Sequence, residues 1–428
     1  MNICKLARLA AFPFAVAISF ATASSAEVRL VGTGNPKIDI PAVQGAVNQG
    51  GQVILEGHFS FDAAPTITPD LPGLPSATVL VSKAVTISGA ADDSEEMATI
   101  EGGQVPFEVE APGSAVTVER LRFVQPTYAA IDVSAVSGLV IASCRIEGLH
   151  PLNNLSNGIS ITTTSGLPNP GRPGKPERIS GTLLIVDNDI DVAGATALDN
   201  ALGIVLFSLG VPGAEVDAYV SGNRISNVTE PAINFRRLVG RAFIERNQLR
   251  TAAIAGAGGE VIRVVNLGSY LIARNSIDCR WPQGVGIAVF SQFAAWPIEG
   301  ALVTDNTVTM APPEGTVFGP DSAGISVRGF AQRNVVLGNS IRGQAAKALS
   351  VTDFRGGTPS GTAFVLNRLD DFEASLADVF VDAGVLNTRI VGEGSVEDHG
   401  TGAVILRLPA TEDPERARDR RADEKETL

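Results

Sequence analysis

Six segments decide how this chain folds: LLIVDNDID (183–191), AYVSGNRIS (218–226), AFIERNQLR (242–250), YLIARNSID (270–278), ALVTDNTVT (301–309) and NVVLGNSIR (334–342). Each reads apolar-x-apolar-x-x-Asn-x-apolar, with the asparagine at Asn188, Asn223, Asn247, Asn275, Asn306 and Asn339. A shortened version, AFVLNRLD (363–370), carries Asn367, and earlier ones place Leu121 (VTVERLRF) and Cys144 (LVIASCRI) in the asparagine slot. Within the core set the asparagines are 24 to 35 residues apart. A second motif alternates with the first: a small residue, Ile or Leu, any residue, then Val or Phe. Its copies include AIDV at 130, GISI at 158, AINF at 232, VIRV at 261, GIAV at 286, GISV at 324 and ALSV at 348. Both motifs alternate with period two, which marks strands with one buried face.

A four-residue strand cannot bury its apolar side alone. Stacking equivalent strands from successive repeats at about 4.8 Å closes parallel sheets around one core. The expected fold is therefore all-β: a single-stranded, right-handed parallel β-helix of roughly ten coils by motif count. Asparagine tolerates a left-handed backbone at a tight turn, and stacked amides can bond from coil to coil. A leucine-rich repeat also uses L-x-L-x-x-N-x-L. Here, however, the repeat length is irregular, a second strand replaces the helix, and the preceding L-x-x-L is mostly missing.

The ends and composition are consistent with that fold. Lys5 and Arg8 precede an apolar run, Leu9–Phe20, and the small residues Ser24-Ser25-Ala26, so residues 1–26 read as an export signal. The expected organisation is a signal at 1–26, a β-helix at 27–410 and a charged tail at 411–428, in a secreted or periplasmic protein. The formal charge is −13 over 428 residues, with 44% hydrophobic and 5% aromatic residues. Such an acidic chain is not expected to bind nucleic acid, and no later run is apolar enough for stable membrane insertion. Cys144 and Cys279 remain after the signal. Several coils separate them, so they are expected unpaired.

Residues 38–61, IDIPAVQGAVNQGGQVILEGHFSF, read as a short amphipathic helix, a Gly turn and a strand. This segment resembles the entry segment of the pectate-lyase-like superfamily, in which a small helix caps the first coil. KAVTISGA and ATIEGG resemble its early coils. The resemblance covers about residues 35–405. It implies the fold, and it implies ligands along the outward face of the first strand's sheet. It does not imply one reaction, because this fold hosts pectate lyases, polygalacturonases, alginate epimerases and adhesins. W-x-D-H, R-x-P-x-x-R, G-H-G, R-I-K and D-P-H-E are absent, and of the paired acids only Asp370-Asp371 occurs. No zinc or phosphate motif appears, so neither metal nor cofactor is expected. The run Asp187–Asp191 has a calcium-friendly composition, but alternation splits its acids between two directions.

In small-Ile-x-Val-y, x and y point outward. Those positions collect Asn234, Arg236, Arg263, Phe290 and Arg328, and the adjoining loops carry Trp281 and Trp296. Guanidinium forks match carboxylates and sulfates, and flat rings match sugar faces. These seven residues are the candidate groove, with an acidic polysaccharide as the expected partner. Asp132 is the only acid read at x or y in the central coils; with Tyr128 and His150 it forms a smaller candidate cluster. Three functions stay open: an acidic-polysaccharide lyase or related enzyme, a non-catalytic glycan-binding or surface protein, and an oligomeric spike-like adhesin. A broad apolar stripe on the outside would favour the third.

Overall fold

The computed structural model describes residues 27–63, 77–90, 97–149, 155–163, 175–192, 200–254, 258–315, 317–369, 371–392 and 394–407. The signal segment, His150, residues 164–174, Asp370 and the 411–428 tail lie outside them.

The chain is a right-handed parallel β-helix. Every pairing between its strands is parallel, and each strand bonds to its counterpart one coil on. The pairings form three stacks. Gly258–Val265 and Gln283–Ser291 belong to the first, Gly240–Glu245 and Ser269–Ala273 to the second, Gln248–Thr251 and Ser276–Cys279 to the third. Inward side chains stack in register. Ile159, Ile204, Ile233, Ile262 and Ile287 form one such column, and all are fully buried. Near the N-terminal end Phe61, Phe107 and Phe123 pack edge to face, with centroids 6.1 and 5.9 Å apart.

The small residue opening the second motif has a steric cause. A Cβ on Gly203 would lie 2.6 Å from Ile225 Cγ2, and one on Gly286 would lie 2.4 Å from Val308 Cγ1. The apolar residue after each asparagine fills the corner that a larger residue would need.

The asparagines form a continuous ladder. Nδ2 of Asn223 donates to Oδ1 of Asn247 at 3.0 Å, Asn247 to Asn275 at 2.9 Å, Asn275 to Asn306 at 2.9 Å and Asn306 to Asn339 at 2.9 Å. Each Oδ1 also accepts the backbone N–H of the preceding asparagine, and each Nδ2 reaches a strand carbonyl, as Asn275 does to Ile244. Cys144 occupies this slot one coil earlier, and its backbone N–H donates to Asn188 Oδ1. The left-handed conformation falls elsewhere than expected. It belongs to the residue before each asparagine: Asp187, Gly222, Arg246, Arg274, Asp305 and Gly338 all have φ between 55° and 70°. The asparagine is selected for its amide, which must both donate and accept in the dry interior.

Helix α1 (Pro36–Gln49) covers the first coil. Asn35 caps it, Pro36 opens it and Gly50 ends it at φ 77°. Its buried Asp39 accepts from Thr33 and from the backbone of Ser60, tying the helix to the coil below. Val43, Ala46 and Val47 close the core. Cys144 and Cys279 are buried and free.

Replacing Asn275 with Leu strands the Asn247 amide and the Ile244 carbonyl in the interior. At 1–3 kcal/mol per orphaned buried group, the expected loss is about 3 kcal/mol. Asn367→Ala, at the partly exposed end, should cost about 1 kcal/mol. Urea midpoints of the two variants check the order; equal losses would mean the ladder is not cooperative.

Candidate functional site

The outward residues of the first sheet also stack in register. One column runs Glu108, Asp132, Ser160, Val205, Asn234, Arg263, Ala288, Ser326 and Ser350. The next runs Thr162, Phe207, Arg236, Val265, Phe290 and Arg328. Asn234, Arg236, Arg263, Phe290 and Arg328 thus share one face, Arg263 one coil beyond Arg236 and Arg328 two coils further.

The arginines are not the free cations the sequence suggested. Arg263 bonds Glu260 at 2.8 Å and Glu230 at 3.4 Å, and Arg328 approaches the other Glu260 oxygen at 3.5 Å. The Arg263 and Arg328 side chains are only 12% and 14% exposed. A guanidinium in so dry a place needs a carboxylate. Arg236 is the least compensated. Burial, then the charge of Arg263, pulls it down to about 10. Its Nε has no partner, and its guanidinium carbon lies 5.6 Å from the Phe207 ring centroid. Burial raises Glu230 above the usual carboxylate range against the pull of Arg263. Three cations thus meet two acids.

The aromatic residues divide. Trp281 is 1% exposed and packed in the main core, so it is not part of the groove: its large apolar surface is used inside the solenoid. Phe290 is outward but covered. It packs with Val265 and Ala288, edge to face on Phe354 at 5.6 Å. Trp296 is the accessible one. It lies at the end of the first sheet with Arg237 at 4.9 Å and Phe293 at 5.3 Å.

The reading of the sequence missed a carboxyl pair. Glu108 and Asp132 are direct register partners on adjacent strands, and both are nearly buried. Ser134 donates to Glu108 at 3.3 Å, and one Asp132 oxygen has no partner. Burial raises Glu108 first, and the Asp132 charge raises it further, to about 8; burial raises Asp132 to about 6 against a bond from Ser160. Such a pair titrates jointly, so near neutral pH it holds about one proton. Tyr128 is also buried beside it, its hydroxyl held far above the usual range by burial. Glu108 was legible in principle. PFEVE (106–110) has the required alternation, with Phe107 where the other copies carry Ile or Leu. Glu230 precedes its strand, and Glu260, although within Gly258–Val265, precedes the four-residue motif, so both fall outside it.

No family model and no curated protein matches the chain. Among solved structures, a surface adhesin of Streptococcus pneumoniae is 12% identical, with 89% of this chain and 94% of that one covered at a TM-score of 0.49. A mannuronic acid specific polysaccharide family 6 lyase from human gut microbiota is 13% identical, with coverages of 92% and 93% and a TM-score of 0.44. The A-module of a mannuronan C-5 epimerase of Azotobacter vinelandii is 12% identical, with coverages of 89% and 96% and a TM-score of 0.41.

The carboxyl pair makes stability depend on pH. Glu108 holds its proton more tightly folded than unfolded, so its contribution is complete below about 4.5 and is lost as pH climbs through about 8. Wild-type Tm should fall across this window more than that of Glu108→Gln, which keeps a neutral group throughout. Parallel slopes for the two proteins would show that the pair does not share a proton.

Proposed function

We propose that the outward face of the first sheet recognises a polysaccharide laid along the helix axis. The observation that carries this reading is the in-register row of nearly buried polar groups Glu108, Asp132, Ser160, Asn234, Arg263 and Ser326. A core does not need polar groups on its outer side. Burying them has a cost that hydrogen bonds to a ligand would offset. A row with one residue per coil suits a polymer that repeats hydroxyls along its length. The surplus guanidinium over Glu230 and Glu260 favours an acidic polymer, with Arg236 as the group that has donors to spare. Trp296 and the half-exposed Phe293 offer an apolar surface at the rim for a sugar ring. The export expected from the pattern of residues 1–26 would bring the chain to a partner of this kind.

The Glu108–Asp132 pair favours a catalytic form of the same reading. A protonated carboxyl beside an ionised one is the equipment for glycosidic hydrolysis, one acting as acid and the other as nucleophile or base. Adjacent strands at about 4.8 Å put the two carboxyls at the short separation associated with retention. The pair makes hydrolysis a better candidate than elimination.

A panel of acidic and neutral polysaccharides tests both forms, with binding followed by affinity electrophoresis and products by mass spectrometry. Arg236→Gln should weaken binding to an acidic polymer roughly tenfold, the loss of one charge-assisted contact of about 1.4 kcal/mol. Asp132→Asn, whose amide still hydrogen-bonds, should weaken binding less than Arg236→Gln does while abolishing product formation, and the wild-type rate should be bell-shaped between about 6 and about 8. Binding without products in the wild type would leave recognition and remove catalysis. No binding to any acidic or neutral member would sink the reading.

A further inference from the structure

The outward face of the second sheet is unlike the other two. Between Thr117 and Arg389 its central column runs Val140, Leu184, Tyr219, Phe243, Leu271, Leu302, Val335 and Ala363. All are apolar or aromatic and half-buried by their neighbours. On the third sheet the corresponding column holds Arg122, Arg145, Asp189, Arg224, Gln248 and Ser276. Outward positions bury little against the chain's own core, so nothing in folding alone asks for eight successive apolar residues there.

We propose that this stripe is the interface through which two copies of this chain associate side by side, in opposite directions, about a two-fold axis. The axis runs along the strands between Phe243 and Leu271. The stripe is self-complementary about that line. Two residues further along each strand, Ala142 and Val186 lie at one end and Leu337 and Val365 at the other. The axis superposes these apolar ends, Val186 over Leu337 and Ala142 over Val365. In the middle it sets Ser221 against Thr304 and Glu245 against Ala273. On the other margin it sets Asp217 against Gly300 and Arg241 against Ser269. No like charges are set directly opposite, and Arg241 and Glu245, which come nearest their own copies, are each paired within the chain.

The bordering charges are already satisfied within the chain. Arg241 pairs with Asp217, Arg274 with Glu245 at 2.5 Å, and Arg333 with Glu299. An apolar centre with a neutralised polar rim is the anatomy of a protein interface. Seven steps of about 4.8 Å give a length of ~34 Å, and five residues of strand a width of ~16 Å. Two such footprints total ~1,100 Å², enough for a specific association. A straight face with one residue per coil is matched by a second solenoid of the same period. The rim offers no surplus of basic residues for a lipid surface. The tail at 411–428 contains no large apolar residue before Leu428, so its composition does not suit the stripe.

Sedimentation velocity over a concentration series tests the proposal, with the wild type run beside Phe243→Lys, Leu302→Lys and the third-sheet control Ser276→Lys. The wild type and the control should be dimeric at micromolar concentration. Each stripe variant should raise the dissociation constant at least a hundredfold while keeping the wild-type circular dichroism and a single cooperative melting transition, lowered by no more than the lost association accounts for. Two stripe variants at separate coils guard against one misfolding. A wild type that stays monomeric to high-micromolar concentration would overturn the proposal. So would a dimer indifferent to both variants, or a monomer that sediments with phosphatidylcholine vesicles. Polysaccharide binding by the first sheet would stand or fall separately.

Discussion

The amide-to-amide bond between successive asparagines is the constraint from which the rest of the solenoid follows. Each side chain must reach the next coil at about 3 Å, so every coil is held at strand spacing and at one rotational phase. The turn before each asparagine takes the left-handed backbone, and the asparagine turns its amide inward. Loops between coils can then vary in length, because the ladder restores the register after every insertion. Spacings of 24 to 35 residues between asparagines are tolerated for this reason.

Fixed phase has a further consequence. Because coils do not slip, outward side chains stack as faithfully as inward ones. Each face of the solenoid becomes a set of columns whose chemistry accumulates along the axis. The first sheet gathers polar and charged groups, the second apolar ones, the third solvated ones. A single outward substitution changes a column locally, whereas a face acquires a character only by repetition. The apolar column from Val140 to Ala363 and the polar one from Glu108 to Ser350 are therefore properties of the face.

This explains what the sequence made legible. The repeat, the inward positions and the place of Cys144 in the asparagine slot follow from periodicity, the capping helix follows from the resemblance of residues 38–61 to an entry segment, and the structure has all of them. The outward arginines were found by the same counting. Their partners were not. Glu230 lies in the connection before its strand, and Glu260 sits within Gly258–Val265 but ahead of the four-residue motif, so counting from the motif reaches neither. Glu108 was missed because Phe107 disguised its motif. Trp281 was misplaced for the same reason as Glu230: it lies in a connection, where period-two logic gives no inside or outside, and its bulk was needed in the core. The apolar stripe was visible letter by letter in LLIVDN, AYVSGN and AFIERN. Its meaning required the register that brings Leu184, Tyr219 and Phe243 into one line.

The two unusual faces also bear on one another. The Arg–Glu network is nearly buried on the outside of a sheet, where charges could have remained in water. Pairing among Arg263, Arg328, Glu230 and Glu260 contributes little to stability by itself, because desolvation consumes most of the Coulombic gain. Its effect is on orientation: guanidiniums held by carboxylates are fixed in place. A face built in that way is rigid before any ligand arrives, so binding would lose little side-chain entropy. The stripe has the complementary character, since apolar contact is non-directional and asks only for a matching shape. One solenoid can carry both because its sheets face different directions. Two copies joined through the second sheet would leave both first sheets free, giving a particle with two polysaccharide faces, whose grip on a long polymer would exceed that of either face alone.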